Sequence, residues 1–132
     1  KNHAEYSIGL IIENADYAIA QACEQTNSTF KEYSVAPKYL QGNEKGAHEW
    51  AIEFISPPSN LEEFISILDT SLKSQNSDYE AKRVMILQKP IVHSVRQGTY
   101  NQWLKQKGKL GGQNKIPRLR NDRDFIEEIL ST

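Results

Sequence analysis

The clearest secondary-structure signal in this sequence lies in residues 47–55, A-H-E-W-A-I-E-F-I. Large apolar residues alternate there with small or acidic ones, namely Trp50, Ile52 and Phe54 against Glu49, Ala51 and Glu53. A period of two is typical of a β-strand, because successive side chains point to opposite faces of the sheet. The pattern therefore predicts a strand with one face on a core and the other face polar, ended by Pro57-Pro58.

The residues that follow this strand predict a long amphipathic helix. Ser59 and Glu62 have the spacing of a capping box, in which two side chains satisfy free backbone N–H groups at a helix start. Apolar residues then recur at intervals of three and four, namely Leu61, Phe64, Ile65, Leu68 and Leu72. This spacing places them on one side of a helix, where they can pack against the sheet.

Shorter signals predict further elements on both sides of this strand–helix pair. Predicted strands cover residues 8–12, 29–36 and 84–96; Pro37 ends the second, Pro90 bends the third, and residues 41–46 suit a hairpin loop. Predicted helices begin at Asn14, Ser77, Thr99 and near Asn121, and Gly108 ends the third of them. This order predicts an α+β fold with a mixed, mostly antiparallel sheet of about four strands packed with helices.

The composition fits one folded domain and excludes a membrane protein. The chain has 132 residues, 38% of them hydrophobic and 25% charged, and its mean hydropathy is −0.64. Its aliphatic runs are far shorter than the ~20 residues that a membrane-spanning helix needs. The sequence starts at Lys1 without a visible signal peptide, so we interpret it as an excised or processed piece of a longer protein.

The cysteine and the histidines, the residue types that most often bind metals or act in redox chemistry, are predicted to have structural roles here. The single cysteine, Cys23, excludes a disulfide framework and fits a reducing, cytoplasmic compartment. Its position on the apolar side of the first helix favours a buried, inert thiol. His3, His48 and His93 form no H-x-x-x-H pair, so no metal site is predicted.

Positive charge is concentrated in residues 96–123, which hold 8 of the 16 lysines and arginines and a single acid, Asp122. This segment carries +7 although the whole chain carries −1. An anionic partner such as nucleotide phosphate or nucleic acid is one interpretation, and a solvated basic face is the other. Tyr100 and Trp103 could stack on bases, but their helical spacing places them on a buried side, which argues against a nucleic acid partner.

The most informative segment is residues 105–120, K-Q-K-G-K-L-G-G-Q-N-K-I-P-R-L-R. Its three glycines permit unusual backbone angles, and Pro117 favours an extended conformation at Ile116. Lys115, between the glycines and the proline, could therefore swing onto an anion as a point charge, or could belong to a merely solvated basic loop. We expect Lys115 to be exposed and residues 108–115 to make few contacts. The spacing is not that of a Walker phosphate loop.

Several motifs resemble the C-terminal domain of the Gretchen Hagen family of auxin-responsive acyl acid amido synthetases, and its bacterial branch more than its plant branch. The most specific are N-S-D-Y-E-A-K-R (residues 76–83) and K-G-K-L-G-G-Q-N-K-I-P-R (residues 107–118). The segments E-N-A-D-Y-A-I (13–19), E-Y-S-V-A-P-K-Y (32–39) and H-E-W-A-I-E-F (48–54) also match. The resemblance covers roughly residues 9–131.

The resemblance implies that residues 1–132 are the C-terminal lid of a larger adenylate-forming enzyme whose N-terminal domain holds most of the site. Such an enzyme joins a carboxylic acid to ATP, releases pyrophosphate, and transfers the acyl group to an amino acid. ATP and Mg²⁺ are the implied cofactors, and the lid alone is expected to be inactive. A lid of a CoA ligase from the same superfamily is the alternative enzyme, and a free-standing polyanion- or RNA-binding module the alternative from another class.

The resemblance also implies roles for particular residues. Lys115 matches the lysine that reaches the substrate carboxylate and the α-phosphate during adenylation. Gln113 and Arg118 are candidate substrate- or phosphate-binding residues beside it. Asn76, Tyr79 and Arg83 match a shared motif, for which turn and capping chemistry is the simpler explanation.

Overall fold

The computed structural model describes residues 9–39, 45–108 and 115–132. Five helices and three strands occur in these ranges: α1 (Ile12–Thr26), β1 (Thr29–Lys38), β2 (Ala47–Ser56), α2 (Leu61–Gln75), α3 (Ser77–Met85), β3 (Ile91–Val95), α4 (Thr99–Gln106) and α5 (Asp124–Leu130). The sheet has the order β1-β2-β3, with β1 antiparallel and β3 parallel to β2. The α+β class and the mixed sheet are confirmed, but the described residues form three strands rather than about four.

Strand β2 is the centre of a three-layer structure. Its residues from Ala47 to Phe54 are all buried. Trp50, Ile52 and Phe54 pack in a core formed with α1 and α2, whereas Ala51 packs on the other face with α4 and α5. The alternation predicted from sequence is therefore present, but its polar face lies under a second helical layer instead of facing solvent.

The acidic residues on that second face are paired inside the protein. Glu49 accepts a hydrogen bond from His93 of β3 at 2.5 Å and forms an ion pair with Arg123 at 2.8 Å. Burial by itself would raise the pKa of Glu49, but the hydrogen bonds from His93 and Arg123 outweigh it and lower the pKa. Arg123 also donates to the Pro37 carbonyl of β1, so this cluster joins all three strands to the start of α5.

The start of α4 is held by the second buried acid, Glu53. Its carboxylate accepts the backbone N–H of Gly98 at 2.8 Å and that of Tyr100 at 3.1 Å. Gly98 precedes the helix with φ 92°, a left-handed conformation that favours glycine. A carboxylate at a helix N-terminus also interacts favourably with the helix dipole, so Glu53 fixes where α4 begins.

Two predicted strands were wrong in their extent. Residues 9–11 form no strand, and helix α1 begins at Ile12; Asn14 lies inside its first turn and accepts the Ile11 N–H instead of preceding the helix. In residues 84–96 only Ile91–Val95 is a strand, because Val84 and Met85 complete α3. Both errors have one cause, since short apolar runs fit a helix end as well as a strand.

Other element ends shift by one to three residues. Strand β1 continues through Pro37 to Lys38, which an edge strand tolerates because one side of its backbone needs no ladder partner. Asn60, one residue after Ser59, caps α2 by accepting the Glu63 N–H. Helix α5 begins at Asp124, after a turn in which Asp122 accepts the Asp124 N–H. The predicted start of α4 at Thr99 and its end at Gly108, which has φ 67°, are confirmed.

We expect Glu53→Gln to destabilise the domain by about 2 kcal/mol, because an amide offers one acceptor oxygen where the carboxylate uses two on buried N–H groups. Urea unfolding monitored by tryptophan fluorescence measures the change. Glu63→Gln, on the exposed first turn of α2, is the matched control and should stay within about 0.5 kcal/mol of the parent. Equal unfolding midpoints for the two variants would contradict the anchoring role of Glu53.

Candidate functional site

Lys115 is exposed, as the sequence predicts, and opens the last described stretch of the chain. Its predicted neighbour Gln113 lies outside the described residues, as do residues 109–114 of the expected loop. Two open clefts, of about 400 and 480 Å³, are both lined by Lys115. Its ammonium group is therefore accessible from either side of the segment that carries it.

The smaller cleft lies between this segment and helices α4 and α5. Its floor is aromatic, because Trp103 and Phe125 pack edge to face with ring centres 4.8 Å apart. Its rim holds charges of both signs, from Arg120, Asp124 and Glu128. Glu128 accepts the Trp103 indole N–H at 2.8 Å, which fixes the ring that forms the floor.

The larger cleft lies between the same segment and the N-terminal end of α1. Ile12, Leu104 and Ile116 supply its apolar wall. Glu32 and Arg118 supply its charged wall, and these two side chains form a hydrogen bond of 2.6 Å between Glu32 Oε1 and Arg118 Nε.

Much of the positive charge of residues 96–123 is compensated within the domain. Ion pairs join Lys107 to Glu128, Arg118 to Asp16 and Glu32, Arg120 to Asp122, and Arg123 to Glu49 and Glu127. Between described residues, Lys105 and Lys115 form no ion pair. The described part of the segment therefore presents a few separate cations rather than a continuous basic surface.

The aromatic residues of this segment are placed as predicted. Tyr100 is 2% and Trp103 9% exposed, and both pack in the second core with Phe125. Neither ring can stack on a nucleic acid base in this arrangement, since base stacking requires an accessible aromatic face. The geometry thus removes the feature that favoured a nucleic-acid-binding module.

Asn76, Tyr79 and Arg83 meet in the opposite helical layer, around Asp69 of α2. Asn76 caps α3 by accepting the Tyr79 N–H, and the Tyr79 hydroxyl donates to Asp69 at 2.6 Å. Arg83 holds the same carboxylate with two hydrogen bonds, of 2.9 and 2.8 Å. The motif therefore pins α3 onto α2, in keeping with the turn and capping role expected from its residue types.

Asp69 was not singled out from the sequence, although it lies on the buried side of α2 beside Leu68 and Leu72. An acid at such a position needs a partner, because burying an unpaired charge is costly. Burial by itself would raise its pKa, but hydrogen bonds from Arg83 and Tyr79 outweigh burial and lower it. The partners themselves, 10 and 14 residues later, carry no local signal.

Cys23 is buried, as predicted, and burial raises the pKa of its thiol. No three His, Cys, Asp or Glu side chains in the described ranges are grouped closely enough to hold a metal ion. None of the helices described above is long and apolar enough to cross a membrane.

Comparison with known proteins gives one family and one fold. The profile of the GH3 family C-terminal domain matches residues 13–124. A structure of GH3.15 acyl acid amido synthetase superposes with a TM-score of 0.71 at 15% identity, covering 91% of this chain and 23% of that chain. A structure of AtGH3.15 acyl acid amido synthetase in complex with 2,4-DB superposes with a TM-score of 0.71 at 13% identity. That alignment covers 96% of this chain and 25% of the other chain. No curated protein matches the chain.

These structural similarities, at such low identity, establish the fold alone. The chain spans about a quarter of the length of either solved protein. The family assignment therefore depends on the profile match, which includes the Asn76–Arg83 motif and the segment that carries Lys115.

We expect Asp69→Asn to destabilise the domain by about 3 kcal/mol at pH 7, because the variant leaves a partly buried Arg83 without its counter-charge. The lowered pKa of Asp69 means that its stabilisation is present above the unfolded-state pKa of about 4 and is lost as the pH falls below it. The difference in free energy of unfolding between parent and variant, measured by urea unfolding, should therefore become smaller as the pH falls from 7 to 3. Asp78→Asn, at an exposed i,i+4 pair, is the control. A difference in free energy of unfolding that stays constant with pH would contradict stabilisation by the ionised Asp69 carboxylate.

Proposed function

The chain belongs to the GH3 C-terminal domain family, and we propose that it acts as the lid of an ATP-dependent acyl acid amido synthetase. As a C-terminal domain of a larger enzyme, it has an N-terminal domain as its partner. The proposal is supported by the profile match over residues 13–124 and by motifs that resemble the Gretchen Hagen family. The lid closes on substrates that the larger domain holds.

The proposed reaction has two steps. In the first, a carboxylate oxygen attacks the α-phosphorus of ATP, the α–β phosphoanhydride bond breaks, and pyrophosphate leaves. In the second, an amino acid amine attacks the acyl carbon, the bond to AMP breaks, and the amine loses a proton to give the amide. The N-terminal domain binds the acid and most of the ATP and Mg²⁺.

The proposal rests chiefly on the surroundings of Lys115. Its side chain is exposed, it lies at the edge of two clefts, and it forms no ion pair with another described residue. The first step brings two anions together, so a positioned cation stabilises the charge that develops at the α-phosphate. A lysine on a separate lid supplies that charge only when the site closes. Lys115 is thus the proposed catalytic residue for adenylation.

Two finer assignments belong to the same proposal. The motifs resemble the bacterial branch of the family more than the plant branch, and we place the enzyme there. The single, buried Cys23 fits a reducing cytoplasmic compartment. Neither assignment changes the predicted role of Lys115.

In the full-length enzyme, we expect Lys115→Ala to lower adenylation by about 100-fold, the loss typical of one missing contact to a developing oxyanion. Pyrophosphate exchange into ATP measures this step, and amide formation from presynthesised acyl adenylate measures the second, which should fall less. Thermal stability should be unchanged, because an exposed lysine contributes little to folding.

Lys105→Ala, at an exposed lysine of α4, is the matched control for Lys115→Ala and should retain adenylation. An equal loss in both half-reactions, or a loss in the control as large as in the variant, would contradict the assignment of Lys115.

We also expect the 132-residue chain alone to release no pyrophosphate from ATP with any carboxylic acid and amino acid, since the proposed binding site for ATP lies in the partner domain. The full-length enzyme is the positive control for the substrate panel. Turnover by the isolated chain, abolished by Lys115→Ala, would show that it carries a complete site.

A further inference from the structure

The geometry points to Arg118 as a positioning residue that anchors the Lys115 segment to β1 and α1, and not as a ligand for substrate phosphate. Its anchor consists of Glu32 on β1 and Asp16 on α1. The inference rests on the proposed function of Lys115, because positioning has a catalytic meaning only if that lysine acts in adenylation.

The backbone of this segment has little support of its own. It meets the free edge of β1 at one parallel bridge, between Val35 and Leu119. Val35 donates its N–H to the Arg118 carbonyl at 2.7 Å, and Arg120 donates to the Val35 carbonyl at 3.2 Å. Two backbone hydrogen bonds at an isolated bridge would hold the segment only loosely, so side-chain contacts must contribute.

The guanidinium of Arg118 supplies these contacts. Its Nε donates to Glu32 Oε1 at 2.6 Å and its Nη1 to Asp16 Oδ1 at 3.0 Å. The group also lies over the Tyr33 ring, 4.8 Å from its centre, and the Tyr33 hydroxyl donates to the same Asp16 oxygen. Charge-assisted bonds to two elements and a stacked ring fix the planar group in one orientation.

The same arrangement disfavours phosphate binding. Two carboxylates surround the Arg118 guanidinium, so this ion-paired group carries an excess negative charge, and the Arg118 side chain is only 31% exposed. Burial and the bond to Asp16 raise the pKa of Tyr33, which therefore remains a donor and keeps Asp16 in place. A phosphate would have to displace both carboxylates before it could bind the guanidinium.

The anchor restricts where Lys115 can be. Lys115 lies three positions before Arg118 along the chain, and three extended residues span at most about 11 Å. Pro117, between them, fixes its own φ and so removes part of the remaining freedom. The anchor thus keeps Lys115 at the edge of the cleft formed with α1 and reduces the conformational entropy lost when the lid closes.

Glu32→Gln in the full-length enzyme separates the two roles, because they predict opposite results. If Arg118 anchors the segment, both Glu32→Gln and Arg118→Gln lower kcat for adenylation by about 10-fold and leave KM for ATP nearly unchanged. If Arg118 binds phosphate, Glu32→Gln frees it and lowers KM for ATP, whereas Arg118→Gln raises KM for ATP.

Arg118→Lys keeps the positive charge but loses the planar guanidinium. If Arg118 is an anchor, this variant should behave like Arg118→Gln. Glu24→Gln, at an exposed acid on α1, is the control.

Amide hydrogen exchange on the same full-length variants tests the anchor without using activity. Glu32→Gln should speed exchange at Val35 and Arg120 by about 10-fold while β2 amides keep the parent rate, which also shows that the variant folds. Unchanged exchange at Val35 and Arg120 would overturn the anchor. Faster exchange with unchanged kcat would overturn the positioning role. Failure of the proposed function would appear separately, as full adenylation by Lys115→Ala.

Discussion

The structure depends on the complete burial of β2 and on the two acidic residues that this burial takes out of water. Glu49 and Glu53 are 4% and 1% exposed, and a buried carboxylate is tolerated only when it is paired and hydrogen-bonded. Glu53 accepts backbone hydrogen bonds at the N-terminus of α4. Glu49 is hydrogen-bonded to His93 of β3 and forms an ion pair with Arg123. The charge requirements of one strand therefore help to place the second helical layer, together with the apolar core that Ala51 forms with α4 and α5.

That placement also decides the electrostatics of the candidate site. The arginines that give residues 96–123 their excess positive charge are largely engaged by acids of α1, β1, β2 and α5. Their guanidinium groups are held in ion pairs inside the domain, as the contacts of Arg118 with Glu32 and Asp16 illustrate most clearly. Lys115 is left as an exposed cation on a framework of compensated charges, which is the arrangement a lid needs if it is to deliver charge to a substrate held elsewhere.

Periodicity in the sequence predicted β2, α2 and the buried sides of Tyr100 and Trp103, because those patterns are local and long enough to be unambiguous. The exposure of Lys115 followed from the glycines and the proline around it. The pattern of β2 could not show that a helical layer covers its acidic face, since alternation distinguishes the two faces but not what lies on them. The anchor of Arg118 could not be predicted either, because its partners lie 86 and 102 residues earlier.

A structure of the full-length enzyme closed on a non-hydrolysable acyl adenylate analogue would show directly whether Lys115 reaches the reacting groups. The distance to be measured joins Lys115 Nζ to the nearest carbonyl or phosphate oxygen of the analogue. We expect a hydrogen-bond distance, about 2.7–3.2 Å, with Arg118 still bound to Glu32 and Asp16. A Lys115 that faces solvent in the closed enzyme, or an Arg118 that has left its carboxylates to bind the phosphate, would contradict it.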